Sequence, residues 1–189
     1  TIEHSGLTAG GQILQASPDQ LITANSLYLH HKNNINGSIG AYSDPIRFNV
    51  NEVAAHIHET TDSGIYLNSL SNVTVNFAAD FEPFYDNPYL GLETLAGGDI
   101  YLDASNQSVN IAQAISAPSS LVEIIADSIV QSSSASISAS NLIIEANNGY
   151  AGTELNPLLT NVSSLNFYAS ADVNIENSSA NIDIQGDAG

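Results

Sequence analysis

The chain has no cysteine, no methionine and no tryptophan, and its basic residues stop at Lys32 and Arg47. Without thiols it can build neither disulfides nor zinc–thiolate sites, and it has no sulfur nucleophile. Against those two cations stand 20 acidic residues, a formal net charge of −18 over 189 residues. A surface of that sign repels phosphates and anionic head groups, so nucleic acid and acidic membranes are poor partners. No apolar run approaches the roughly 20 residues needed to span a bilayer, so membrane insertion is not expected of this segment. The start at Thr1, with no methionine and no charged-then-apolar leader, reads as an internal fragment of a larger protein whose targeting signals lie elsewhere.

What is present is a hydrophobic fraction of 43%, ample for a core and spread over short alternating runs. They include Gln20–Ala24, Ser26–His30, Gly64–Leu67, Val73–Val75, Asp99–Asp103, Ser108–Ile111, Leu121–Ile125, Asn141–Glu145, Ser164–Phe167, Asp172–Ile175 and Asn181–Ile184. Apolar residues at every second position turn one face inward and leave Asn, Asp, Ser and Thr on the other, which is the period of a strand. Helix signals are poor throughout, since capped apolar stripes are missing and Lys and Arg are nearly absent. An all-β fold follows, either a β-sandwich with antiparallel neighbours or a coiled parallel β-helix.

A long-period repeat favours the coil. Ile22–Leu29 returns as Ile137–Ile144, Gly37–Gly40 as Gly149–Gly152, Asp44–Ile46 as Asn156–Leu158, and Ser63–Leu67 as Ala171–Ile175. The copies span 11–75 and 128–184, with a divergent stretch at 77–127, and the whole of 1–189 reads as a single segment of stacked rungs. Gly37, Gly40, Gly149 and Gly152 suit corners of positive φ or close backbone approach, and Pro45 and Pro157 hold the residue before them extended. Rungs of about 20 residues at about 4.8 Å each would make a rod of roughly 45 Å.

These blocks, Gly11–Gln15, Ile22–Leu29, Gly37–Ile46 and Gly64–Leu67, with the weaker copy from Ser128 to about Ile184, resemble the haemagglutinin-repeat region of filamentous-haemagglutinin-like, two-partner-secretion adhesins. The resemblance covers roughly two thirds of the chain. It implies a right-handed parallel β-helix, export through an outer-membrane secretion partner, and a place on the bacterial cell surface as a secreted adhesin. Its role would be attachment to a receptor or glycan on a host or neighbouring cell, biofilm formation, or presentation of a distal domain. The second copy departs from the pattern at Tyr150 and Ala151.

Two clusters are candidate sites. His56 and His58 share one strand face and His30 the equivalent face of a nearby strand, so stacking could gather imidazoles for zinc or copper, with Glu52 and Glu59 as added ligands. The plainer alternative is a solvated ladder: with Leu27, Leu29, Val53, Ala55 and Ile57 inward, Tyr28, His30, His56 and His58 face outward. The second cluster is an aromatic-rich excursion near 77–90, where Phe81, Phe84, Tyr85, Asp86 and Tyr89 interleave rings with carboxylates, as a sugar-binding loop would. A carbohydrate-binding or carbohydrate-active β-helix is therefore the alternative function; packing of those rings against the rod is the other reading. Catalysis is not expected, because lyase chemistry on such folds calls for basic residues and 20 acids make chance carboxylate pairs uninformative. No cofactor is implied. Gly97–Ile100 matches one fragment of a calcium repeat but lacks the tandem copies.

Overall fold

The computed structural model describes residues 2–4, 12–17, 19–31, 37–57, 63–76, 91–95, 97–132 and 134–189. Among these are fifteen strands and no helix, and the strands stack as a parallel β-solenoid of about six turns. Neighbouring strands run in the same direction at every ladder, so the antiparallel sandwich is excluded. The alternating runs explain the outcome: each strand is too short to bury its apolar face alone and does so against the next turn.

Three stacks of strands form the walls of the coil. The first wall holds β2 (Ile22–Thr23), β4 (Ile46–Asn49), β6 (Ile65–Ser69), the start of β9 (Ile100–Ile111), the middle of β10 (Ile115–Gln131), the end of β11 (Ile137–Ala146), β13 (Ser164–Ala169) and β15 (Asp183–Ala188). The second takes the starts of β3 (Ser26–His31) and β5 (Glu52–Ile57), then β7 (Val73–Val75) and the ends of β9 and β10. The third takes β1 (Ile2–His4), the ends of β3 and β5, β8 (Leu92–Thr94), the starts of β10 and β11, then β12 (Leu158–Asn161) and β14 (Ile175–Asn177).

Register places like on like. Leu67, Leu102, Ile124 and Ile144 form one inward column, and Leu29, Ala55, Leu92, Ile115 and Ile137 another, every member at most 1% exposed. Each is covered above and below by a neighbour one strand spacing away, about 4.8 Å. Polar residues ladder outside: Asn51 donates to Asn25 at 2.9 Å, and Glu52 accepts from Ser26 at 3.0 Å and from Asn76 at 3.2 Å.

Turn length varies, read from side chains that bond across one turn. The separation is 26 residues from Ser26 to Glu52, 35 from Asn68 to Asp103, 22 from Asp99 to Leu121 and 21 from Asp127 to Asn148. The expected rung of about 20 fits the later turns and also the early steps from β4 to β6 and from β5 to β7, where Ile46 pairs with Leu67 and Glu52 with Thr74. The long turn contains 77–90, outside the described residues; Asn76 and Gly91, on either side of it, bond Val53 and Ala55 of the same strand β5. The insertion therefore leaves the ladder register intact.

The repeated glycine block folds the same way twice. Gly40 (φ 72°) and Gly152 (φ 73°) each donate to the turn below, at Ile13 and Ile129, and open a tight loop closed by reciprocal bonds, Ala41 with Asp44 and Thr153 with Asn156. A Cβ on Gly40 would lie 2.5 Å from the Tyr66 carbonyl, and one on Gly152 2.2 Å from that of Asn174, so both the φ and the close approach require glycine. The two loops occupy different walls: Ile39 and Ile46 stack on the first, whereas Ala151 stacks on Ile129 of the second and Leu158 opens β12 of the third.

Candidate functional site

The histidines come together, but not on a wetted face. His30 and His56 are register partners on β3 and β5 with ring centroids 5.5 Å apart, and Tyr28 stacks on His30 at 6.0 Å. Tyr28, His30, Ala54 and His56 are all buried, at 5% exposure or less, so the solvated outward ladder does not form on these strands. Both faces of β3 and β5 are out of water, a state that alternation alone does not anticipate. The signal available in the sequence is Val53–Ile57, where Ala54 puts an apolar residue on the nominally outward face.

Glu93 of β8 is the partner that sequence reasoning missed. It is the register neighbour of His56, and its Oε2 lies 3.1 Å from His56 Nδ1. Glu52, named from the sequence as a possible ligand, is instead engaged with Ser26 and Asn76 on the second wall. No group of three or more metal-ligating side chains with coordinating geometry occurs among the described residues. His58 and Glu59 lie outside the described residues, as do Phe81, Phe84, Tyr85, Asp86 and Tyr89.

A second cluster, which the sequence reading did not single out, lies on the outer face of the first wall. Tyr66 and Tyr101 are register partners on β6 and β9, and Glu123 of β10 continues their column. One residue pair along, Asp103 follows Asn68, and Glu145 lies one turn beyond Ile125. Tyr42, at the tip of the Gly40 loop and 63% exposed, leans over this wall: its ring is 6.2 Å from Tyr66, edge-on at 88°, and 5.0 Å from Tyr101, tilted by 55°. A cavity of about 130 Å³ lies among Tyr42, Tyr66, Asp99, Tyr101, Leu121 and Glu123.

Hydrogen bonds hold two of the carboxylates. Asp99 Oδ1 accepts from the Leu121 N–H at 3.0 Å, and Asp103 accepts from Asn68 at 3.0 Å and from the Ser105 hydroxyl at 2.6 Å. Glu123 has its pKa raised above the usual carboxylate range, first by burial and then by Glu145, Asp103 and Asp99. Burial, then Asp103, Glu123, Tyr42 and Glu145, push the Tyr101 phenol up to about 12; burial and then Asp99 raise Tyr66. Tyr66 and Tyr101 therefore stay neutral over the physiological range beside a concentrated negative charge.

Past Leu121 the same wall opens into a shallow groove of about 390 Å³, lined by Asn141, Ile143, Ser164, Asn166, Asp183 and Gln185 among others. A tyrosine–carboxylate pocket and an amide-lined groove thus share one face of the rod. No family model, curated protein or solved structure matches the chain.

Proposed function

We propose that the chain is a non-catalytic structural and adhesive module of a secreted bacterial surface protein, using the outer face of its first wall for contact. The observation that carries this reading is the continuity of that wall, where the pocket and the groove meet at Leu121 on one ladder of parallel strands. Rings that present area and amides that present paired donors and acceptors are the side chains of an adaptable contact surface. Stacked turns give such a surface length without requiring a large globular core. The resemblance of the repeated blocks to filamentous-haemagglutinin-like adhesins supports the same reading, with a secretion partner in the outer membrane and a receptor or glycan on the facing cell.

Beads coated with the chain provide the test. They should attach to bacterial or epithelial cells, and attachment should fall when Asn141, Asn166 and Gln185 are replaced together by Ala, which leaves the inward columns untouched. Attachment that equals an inert protein coat would sink the proposal. Loss of attachment to cells stripped of glycans, with direct sugar binding, would favour the carbohydrate-binding alternative.

A further inference from the structure

We infer that the cavity beneath Tyr42 is a receptor for a single cationic side chain, a lysine or its methylated form, carried by a basic protein segment. The biological use of the site rests on the adhesive reading, whereas the binding chemistry stands on the geometry and charge of the pocket.

The duplicated loop shows that the fold does not need these rings. The Gly152 loop repeats the backbone bonds of the Gly40 loop while Glu154 stands where Tyr42 does and Asn174 where Tyr66 does. Three tyrosines converge at one copy, therefore, for a reason other than closing the turn. Tyr42 is 63% exposed, so its ring is accessible to a ligand from solvent.

Ring geometry selects the ligand class. A pyranose stacks on a flat, open aromatic face, but these rings meet at 55° and 88° around a space of about 130 Å³, the size of one alkylammonium head and part of its stem. Tilted electron-rich faces around such a space attract a cation, and a desolvated one most strongly. Asp99 and Glu123 supply opposite charge at the rim, and a bound cation relieves the repulsion among Glu123, Glu145 and Asp103. A second copy of the chain, with net charge −18 and just Lys32 and Arg47, is a poor donor of that cation, so the occupant belongs to a basic partner.

The test titrates the full chain with the amide of acetylated trimethyllysine and with its neutral tert-butyl isostere, followed by tyrosine ring signals in NMR. Salt is held near 150 mM so that the diffuse attraction of an acidic protein is screened to about 8 Å. The cation should bind at least about fivefold more tightly than the isostere, with shifts at Tyr42, Tyr66 and Tyr101. Tyr42→Ala and Glu123→Gln should each weaken it severalfold, while Leu155→Ser, at the tip of the other loop, should not. Equal binding of the isostere, indifference to both pocket variants, or preference for a neutral oligosaccharide would each overturn the inference. The bead assay with the unaltered chain separates the two claims: cation binding without attachment removes the adhesive reading and leaves the pocket, and attachment without cation binding does the reverse.

Discussion

Ile100, Val122 and Leu142 stand in one inward column of the first wall at 1% exposure or less, and Leu165 continues it at 4%; Ile184, next in the same column on β15, is 57% exposed. The strands carry the same alternating pattern, yet all six residues of β15 are exposed. What differs is the number of neighbours. A middle strand is covered on both sides, whereas β15 pairs with β13 alone among the described residues. Burial in this fold is thus a property of adjacent turns, and stability should follow nearest-neighbour contacts and not hydrophobicity of the segment.

The largest test of that contrast is a truncation at each place. Leu142→Ala should cost about 2–5 kcal/mol, the transfer of its side chain plus the cavity left between Val122 and Leu165. Ile184→Ala should change stability by no more than about 0.5 kcal/mol, since most of its side chain is already in water. Urea denaturation followed by far-ultraviolet circular dichroism reads both. Comparable shifts in midpoint would show that Ile184 is covered in solution.

A smaller effect separates the two glycine loops. Gly40→Ala and Gly152→Ala each force a Cβ into positive φ, a strain of about 1–3 kcal/mol. The second should be the worse, because its Cβ would lie 2.2 Å from a backbone carbonyl against 2.5 Å at the first. If either variant matched the parent chain in thermal midpoint, the loop in question would have another conformation in solution.

How much of this was legible in the sequence follows from the same contrast between local and non-local causes. Alternation marked Leu27, Leu29, Val53, Ala55 and Ile57 as inward, and all are buried, because strand period is a local property. The pairing of Gly37–Gly40 with Gly149–Gly152 found two loops of one geometry, because glycine at positive φ with a following proline is local too. Their placement on different walls was not legible, since it depends on how many residues intervene around the coil. The same holds for the histidines: that His30 and His56 meet could be read from spacing, but that both are buried and that His56 lies beside Glu93 required knowing that β8 returns onto β5 after 37 residues, His56 to Glu93. Tyr42, Tyr66 and Tyr101 were invisible for that reason, scattered over three successive turns and assembled by register.

The smallest expected effect concerns the carboxylates of that wall. Glu123 has a raised pKa in the folded chain, caused by burial and then by Glu145, Asp103 and Asp99, so folding favours its protonated form. Its stabilising contribution is complete below the unfolded carboxylate value of about 4.3 and is lost as pH rises through the higher folded value. Once ionised above that raised value the group destabilises the fold, so there Glu123→Gln should raise stability by a few tenths of a kcal/mol, kept small by solvent screening of a partly exposed site. The gain should vanish near pH 4 and shrink in high salt, as urea midpoints across a pH series would reveal. A gain independent of pH would assign the effect to side-chain packing. The same substitution is expected to weaken capture of a cation under Tyr42, so under the proposed cation binding one ionised carboxylate both costs stability and serves the pocket. A variant that gained stability and lost no affinity would break that link and leave the clustered acids without a role at the pocket.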